Sequence, residues 1–218
     1  MAPWTIRDGG GGGKRVSAAT ANAPVTDSDI ERAQKAMIAL NQPALFMIRE
    51  QDENLDLMLA ARAYVVVDPV NLYACPIHTL IETPPRKMSA FTIWPPLEIM
   101  RELWAEGDIG PSRIAVMNRA RAAKTALLAR SKSRPAGAAF VAIHHQTAMI
   151  HAIEVTKSLR RKGAGINIMR AAARWAQDHG ARCFSVLVTD ANAAANALYS
   201  ELGMTVVGHY HYRIRQKQ

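Results

Sequence analysis

Three cations and two glycines stand together in Arg160-Arg161-Lys162-Gly163-Ala164-Gly165. An apolar run with strand character, residues 149–155, precedes them, and a helical pattern follows from about Ile166. Glycine lets the backbone turn tightly and come close to a ligand with no side chain between. The helix that follows offers unpaired N–H groups and the positive end of its dipole, which suits an anion. This is the chemistry of a pyrophosphate cradle, although a plain solvated basic loop shares its composition. The Rossmann fingerprint is not matched, because it needs three glycines after the first strand of a parallel unit. Gly13-Lys14-Arg15 fails as a P-loop: Asp8 stands where the first glycine belongs, and Arg15 where Ser or Thr belongs.

Hydrophobic periodicity sets out the elements around this turn. Residues 4–7 and 16–19 read as short strands joined through Gly9 to Gly13. Ser28 with Glu31 has capping-box spacing, and Ile30, Ala33, Met37 and Leu40 continue a helical pattern that Pro43 stops. Residues 44–48 read as a buried strand, 55–62 as a helix, and 64–67 and 70–73 as strands broken at Asp68-Pro69. The proline-rich stretch 83–86 is a linker or crossing loop. Beyond it, residues 96–105 and a segment opening at Gly110-Pro111 read as helices. Strands are expected at 125–129, 137–143 and 184–188, and a helix over 166–178 that Gly180 ends.

Composition narrows the class. A chain of 218 residues, 49% hydrophobic, suits one large domain or two small ones. No apolar run approaches the roughly 20 residues of a membrane span, and the first eight residues lack a signal-peptide core. A cytoplasmic protein without membrane partners is expected. Cys75 and Cys183 lie in separate apolar runs, as buried thiols of a reducing compartment rather than a disulfide framework. His144, His145, His209 and His211 lack metal-ligand company, so no metal is expected. The net charge of +9 is thinly spread and lacks the aromatic interleaving of a single-strand binder. An anionic cofactor or acidic substrate accounts for it as well as nucleic acid does.

The order Arg160-x-x-Gly163-x-Gly165 resembles the acetyl-CoA-binding signature of the GCN5-related N-acetyltransferases, in which Gln or Arg, then Gly, then Gly or Ala recur at this spacing. Further on, Asn192-x-x-Ala195-x-x-Leu198-Tyr199-x-x-x-Gly203-Met204 is similar to the family's Asn-x-x-Ala-x-x-Leu-Tyr-x-x-x-Gly-Phe. Lys157 stands where members often carry proline. The resemblance covers about residues 90–215. It implies an α/β (α+β) acyl-CoA N-acyltransferase fold, with a mixed, mostly antiparallel sheet flanked by helices. It also implies an acyltransferase that uses acetyl-CoA as co-substrate, with a primary amine of a small molecule or peptide attacking the thioester directly. A module that binds acyl-CoA but is catalytically idle is the alternative.

Site roles follow from the resemblance. Ile153 and Val155 would bond the pantetheine arm through their backbone, and Arg160, Arg161, Lys162, Gly163, Ala164 and Gly165 would hold the pyrophosphate. Asn192 suits the cofactor or a nearby backbone group, and Tyr199 matches the general acid for the departing thiolate. Glu154 and His151 are the candidate bases, directly or through water. Strand alternation sets these two on opposite faces unless a bulge intervenes. Glu154 also suits an ion pair with a nearby cation, and His151 a hydrogen-bonded strand position.

A repeat accompanies these motifs. A shift of 140 residues lays 28–73 over 168–213 without gaps, in the order helix–strand–helix–strand. Opposite Arg160 to Gly165 lie residues 20–25, Thr-Ala-Asn-Ala-Pro-Val, with neither glycine nor cation, and opposite Tyr199 lies Leu59. The expected organisation is a degenerate copy of the same fold over 1–82, a linker at 83–89 and the acetyltransferase domain over 90–218. Oligomeric state, monomer or homodimer, is left open by these patterns.

Overall fold

Thr26 starts the first long helix by closing a reciprocal cap with Asp29. The Thr26 hydroxyl accepts from the Asp29 N–H, and the Asp29 carboxylate accepts from the Thr26 N–H. The cap lies two residues before the expected Ser28–Glu31 pair. A computed structural model of the chain describes residues 2–215; Met1 and residues 216–218, which the expected domain spans include, lie outside the described residues.

In chain order the elements are β1 (Trp4–Thr5), α1 (Lys14–Ser17), β2 (Thr20–Ala21), α2 (Asp27–Ala39), β3 (Leu45–Arg49), α3 (Glu53–Ala61) and β4 (Tyr64–Pro76). There follow α4 (Ile77–Ile81), β5 (Ala90–Ile93), α5 (Glu98–Ala105), α6 (Pro111–Arg119), β6 (Lys124–Ser131), β7 (Arg134–His144) and β8 (Thr147–Val155). Last come α7 (Ala164–Asp178), β9 (Cys183–Thr189), α8 (Ala193–Glu201) and β10 (Thr205–Arg215). The glycine run does not join two strands: residues 14–17 form a helical turn, and β1 pairs instead with β2. Asp68-Pro69 does not break β4, because Asp68 takes a positive φ of 46° and the strand runs on. Short helix α4 and strand β5 carried no periodicity long enough to read.

Two compact units emerge, and each is discontinuous in sequence. Among the described residues, one holds 2–71, 189–191 and 208–215, and the other 72–188 and 192–207. In the first, β3 pairs antiparallel with the end of β10, Tyr210 opposite Arg49 through Ile214 opposite Leu45. Trp4, Phe46 and Tyr64 stack in series at the centre of its core, with ring centroids 5.3 and 5.5 Å apart. Asp56 on α3 takes both arms of the Arg213 guanidinium and a bond from His211.

The second unit is built on the strand order β4-β9-β8-β7-β6-β5. Pairing is antiparallel from β5 through β8, and β8 with β9 is parallel. Helices cover both faces. Helix α7 packs alanines onto one of them: Ala172, Ala173 and Ala176 are fully buried, and such small side chains let a helix sit close to a sheet. Helices α5 and α6 cover the other through Met100, Leu103, Trp104 and Met117, set against Ala138 and Phe140.

The helix–strand–helix–strand order recurs in the register seen in the sequence. The bounds of α3 become those of α8 on adding 140. Ala19 bridges Phe46 in parallel, and Val186, the counterpart of Phe46, pairs in parallel with Ile150; Ala19 and Ile150 themselves fall outside the 140-residue register.

The Asp29 carboxyl is held down from its ordinary 3.8 to about 2, chiefly by the Thr26 hydroxyl and N–H, with Arg32 adding to it. A carboxyl whose pKa falls on folding stabilises the protein above its unfolded value, and that contribution fades as pH drops toward the folded value. We therefore expect Asp29→Asn to melt below the wild type at pH 6, with the gap closing between about pH 4 and pH 2, as read by thermal unfolding across pH.

Candidate active site

Strand β8 carries a bulge, and the site is arranged around it. Phe140 of β7 faces His151 and Ala138 faces Glu154, so three steps on β8 answer two on β7. Ala152 takes up the extra residue with φ 51°. Plain alternation is thereby overturned: His151 and Glu154 lie on one face of the sheet, that of α5 and α6. The Ala152 carbonyl accepts from the indole N–H of Trp104, 2.8 Å away. Ile153 and Val155 pack toward the α7 side.

Beyond the bulge β8 parts from its other neighbour. Its parallel pairing with β9 runs from Thr147–Cys183 to Ile150–Val186 and stops, although both strands continue. Residues 151–155 therefore border a gap between two parallel strands, where backbone groups can receive a ligand.

The chain then turns through a short 3-10 segment, Lys157–Leu159, into α7. Arg161 (φ 60°) and Gly163 (φ 83°) are both left-handed, and Gly163 is the N-cap residue. A Cβ built on Gly163 would meet Asn167 Nδ2 at an ordinary 3.9 Å, but the residue would have to adopt that strained conformation. Gly165 is close-packed: a Cβ there would lie 3.2 Å from Leu198 on α8, which would have to give by a few tenths of an ångström. No side chain caps α7, and its first turn holds no acidic residue. Its first N–H groups and positive dipole end are therefore left for an anion. Ala164 is buried at the helix start, while Arg161 and Lys162 are exposed and the Lys162 ammonium donates to the Ser158 carbonyl.

Arg160 is committed locally. Its guanidinium donates to the Val155 carbonyl and, at 2.9 Å, to Glu154 Oε1. Glu154 Oε2 lies against Gly107, in the turn after α5, where a Cβ would come within 2.4 Å of it. Both the ion-pair role and the strand-face position of Glu154 are thus realised together. Asn192 caps α8 by accepting from the Ala195 N–H at 3.1 Å, which is the backbone role foreseen for it. Tyr199, 5% exposed, stacks edge-on against Tyr73 at 5.6 Å, and burial pushes its phenol up to about 12. It keeps its proton through neutral pH.

Sequence reasoning missed Gly107, which makes room for Glu154, and read Trp104 only as core. It also missed Asn167, a polar residue on the buried side of α7. The signal was present there: an asparagine four residues after Gly163 interrupts an inward face of Ala, Ile and Met. A groove of about 440 Å³ lies between α5 and α6, lined by Glu98, Glu102, Ile114 and Asn118 among others; neither His151 nor Glu154 lines it. Among the described residues no group of three or more His, Cys, Asp or Glu could hold a metal ion, and no helix is long and apolar enough to cross a membrane. Trp104→Phe removes the donor to the bulge carbonyl, so urea unfolding should find the variant less stable by about 1–3 kcal/mol, the cost of an unpaired buried acceptor.

Comparison with known proteins gives a consistent answer. The chain is 36% identical over 64 residues to the uncharacterized N-acetyltransferase YobR of Bacillus subtilis (strain 168); the match spans 29% of this chain and about a quarter (26%) of that relative. Among solved structures, a GCN5-related N-acetyltransferase from Kribbella flavida superposes with a TM-score of 0.73 at 19% identity, covering 93% of this chain and 82% of that one. A tandem GNAT protein from the clavulanic acid biosynthesis pathway superposes with a TM-score of 0.67 at 13% identity, covering 90% and 74%. The model of the Acetyltransferase (GNAT) family matches residues 93–204, just over half of the sequence and the whole stretch from β5 to the turn after α8. This chain belongs to the GNAT family of acetyltransferases.

Proposed function

We propose that the protein is an acetyl-CoA-dependent N-acetyltransferase that acts on a primary amine of a small molecule or peptide. The observation that carries this reading is the uncapped, acid-free start of α7 behind left-handed Gly163, beside the gap between β8 and β9. The pyrophosphate of acetyl-CoA suits that helix start, with Arg161 and Lys162 adding charge. The pantetheine arm suits the gap, where residues 151–155 of β8 lack a β9 partner and can pair with it through the backbone, Ile153 and Val155 included.

Direct transfer needs no enzyme nucleophile. Bound acetyl-CoA would present its carbonyl at the bulge, and the amine would approach from the α5–α6 side, where His151 and Glu154 lie. As nitrogen attacks, its proton passes toward Glu154 or His151, directly or by water. When the tetrahedral adduct collapses, the C–S bond breaks and the thiolate takes a proton from Tyr199. The high pKa of this phenol keeps it a donor until that moment.

The N-terminal copy is read as degenerate. The N-terminus of α2, the counterpart of α7, is filled by the protein's own Thr26 hydroxyl and Asp29 carboxylate, with Asp27 beside them. An anionic cofactor would meet negative charge there, so one acyl-CoA site per chain is expected.

Titration of acetyl-CoA into the wild type and Gly163→Asp tests the cofactor site. Aspartate tolerates a left-handed N-cap and suits a helix start, so the variant should fold while its carboxylate occupies the anion position. Saturable wild-type binding, lost in the variant, is expected; equal binding by both would refute the assignment. An amine panel with thiol-release readout then separates enzyme from idle binder. In that assay Tyr199→Phe should lower kcat by about 100-fold or more, with acetyl-CoA affinity unchanged. An unaltered kcat would remove Tyr199 from the chemistry.

A further inference from the structure

Asn167 is 7% exposed, yet its amide is only half engaged. Its Oδ1 accepts from the backbone N–H of Arg86, at 2.9 Å. A backbone N–H can only donate, so the oxygen faces Arg86 and the NH2 group faces away from it. That Nδ2 points to the turn. It is the one atom within 4 Å of a Cβ built on Gly163, at 3.9 Å. Among the described residues no acceptor is paired with it, and it is not one of the fully buried polar atoms, so the amide keeps a donor open to a ligand. A helix start without a cap, a left-handed glycine, and an unpaired amide donor 3.9 Å from the Cβ position of that glycine all converge on one spot.

We propose that Asn167 is a further anion-binding residue of the cofactor site, donating its Nδ2–H to a phosphate oxygen of the acyl-CoA pyrophosphate. The inference rests on the cofactor reading above and adds a residue to it. A neutral amide suits a nearly buried position, where a lysine would pay heavily for desolvation. Asn167 also ties the linker to the site. Through the Arg86 bond it keeps the linker backbone within about 9 Å of the open side of Gly163, by covalent geometry. Ser89 fixes the same segment by donating to the Arg86 carbonyl at 2.6 Å. Arg86 and Lys87 are exposed, and among the described residues neither forms an ion pair.

The test is Asn167→Asp, with acetyl-CoA and inorganic pyrophosphate as separate probes. Aspartate is nearly isosteric and can still accept from the Arg86 N–H, so the fold should be kept. The apo variant should melt cooperatively, below the wild type because its charge is largely buried. Its affinity for acetyl-CoA and for pyrophosphate should each fall at least tenfold, because a donor has become an anion. Acetyl-CoA binding within twofold of wild type would overturn the inference and leave the cofactor reading standing. Pyrophosphate bound by the wild type without acetyl-CoA would sink the cofactor reading yet keep an anion site, which the same variant must then lose. A wild type silent to both probes overturns the two together. Should Asn167→Asp not fold, Asn167→Ser carries the test: its hydroxyl is too short to reach the turn, and undiminished affinity would refute the role.

Discussion

A single hydrogen bond, from the Trp104 indole to the Ala152 carbonyl, sustains the geometry of the candidate site. The extra residue in β8 turns that carbonyl out of the ladder, into a region packed with Leu103, Met100 and Phe140. Unpaired in this partly buried region it would carry some of the cost of an orphaned acceptor. With Trp104 as donor the bulge is stable, and two consequences follow at once. His151 and Glu154 come to the same face, and the strand bends where its pairing with β9 has ended at Ile150. One inserted residue thereby brings His151 and Glu154 to a shared face beside the gap that opens between β8 and β9.

The two long helices that match in the 140-residue repeat are opposites in electrostatics. Helix α2 completes its own N-terminus with Thr26 and Asp29 and carries Asp27 in its first turn. Helix α7 begins on a left-handed glycine, with no cap and no acid. A capped helix is more stable by itself, and an uncapped one is available to a ligand. The same secondary-structure position is spent on stability in one unit and left open in the other.

Much of this was legible because it rests on local chemistry. The Gly163 turn, the Pro111 start of α6, the Gly180 stop of α7 and the left-handed Gly203 all follow from residues within one turn of chain. What escaped depends on distant partners. Alternation could not reveal the bulge, since its cause is a tryptophan 48 residues away. The Ser28–Glu31 spacing misled because Thr26–Asp29 offers the same chemistry two residues earlier, with shorter acid reach. The helical turn at 14–17 hid within a glycine-rich run whose neighbours carry no period. Asn167 was visible as an oddity on an apolar helix face, but its meaning needed the Arg86 N–H to orient the amide.

The interleaving of the units bears on how the chain is made. Residues 208–215 are among the last described, yet they belong to the compact unit that contains residue 4. Their partner is β3, some 160 positions earlier. While the ribosome extends the chain, β3 waits with an open edge and α3 lacks the guanidinium that Asp56 will receive from Arg213. Such an edge invites pairing with other nascent chains. Long-range closure of this kind also slows folding, because loop entropy must be surrendered before the contacts form. Completion of the N-terminal unit therefore waits until residues 208–215 have been made, and the interval before it is when the unit is most exposed to aggregation.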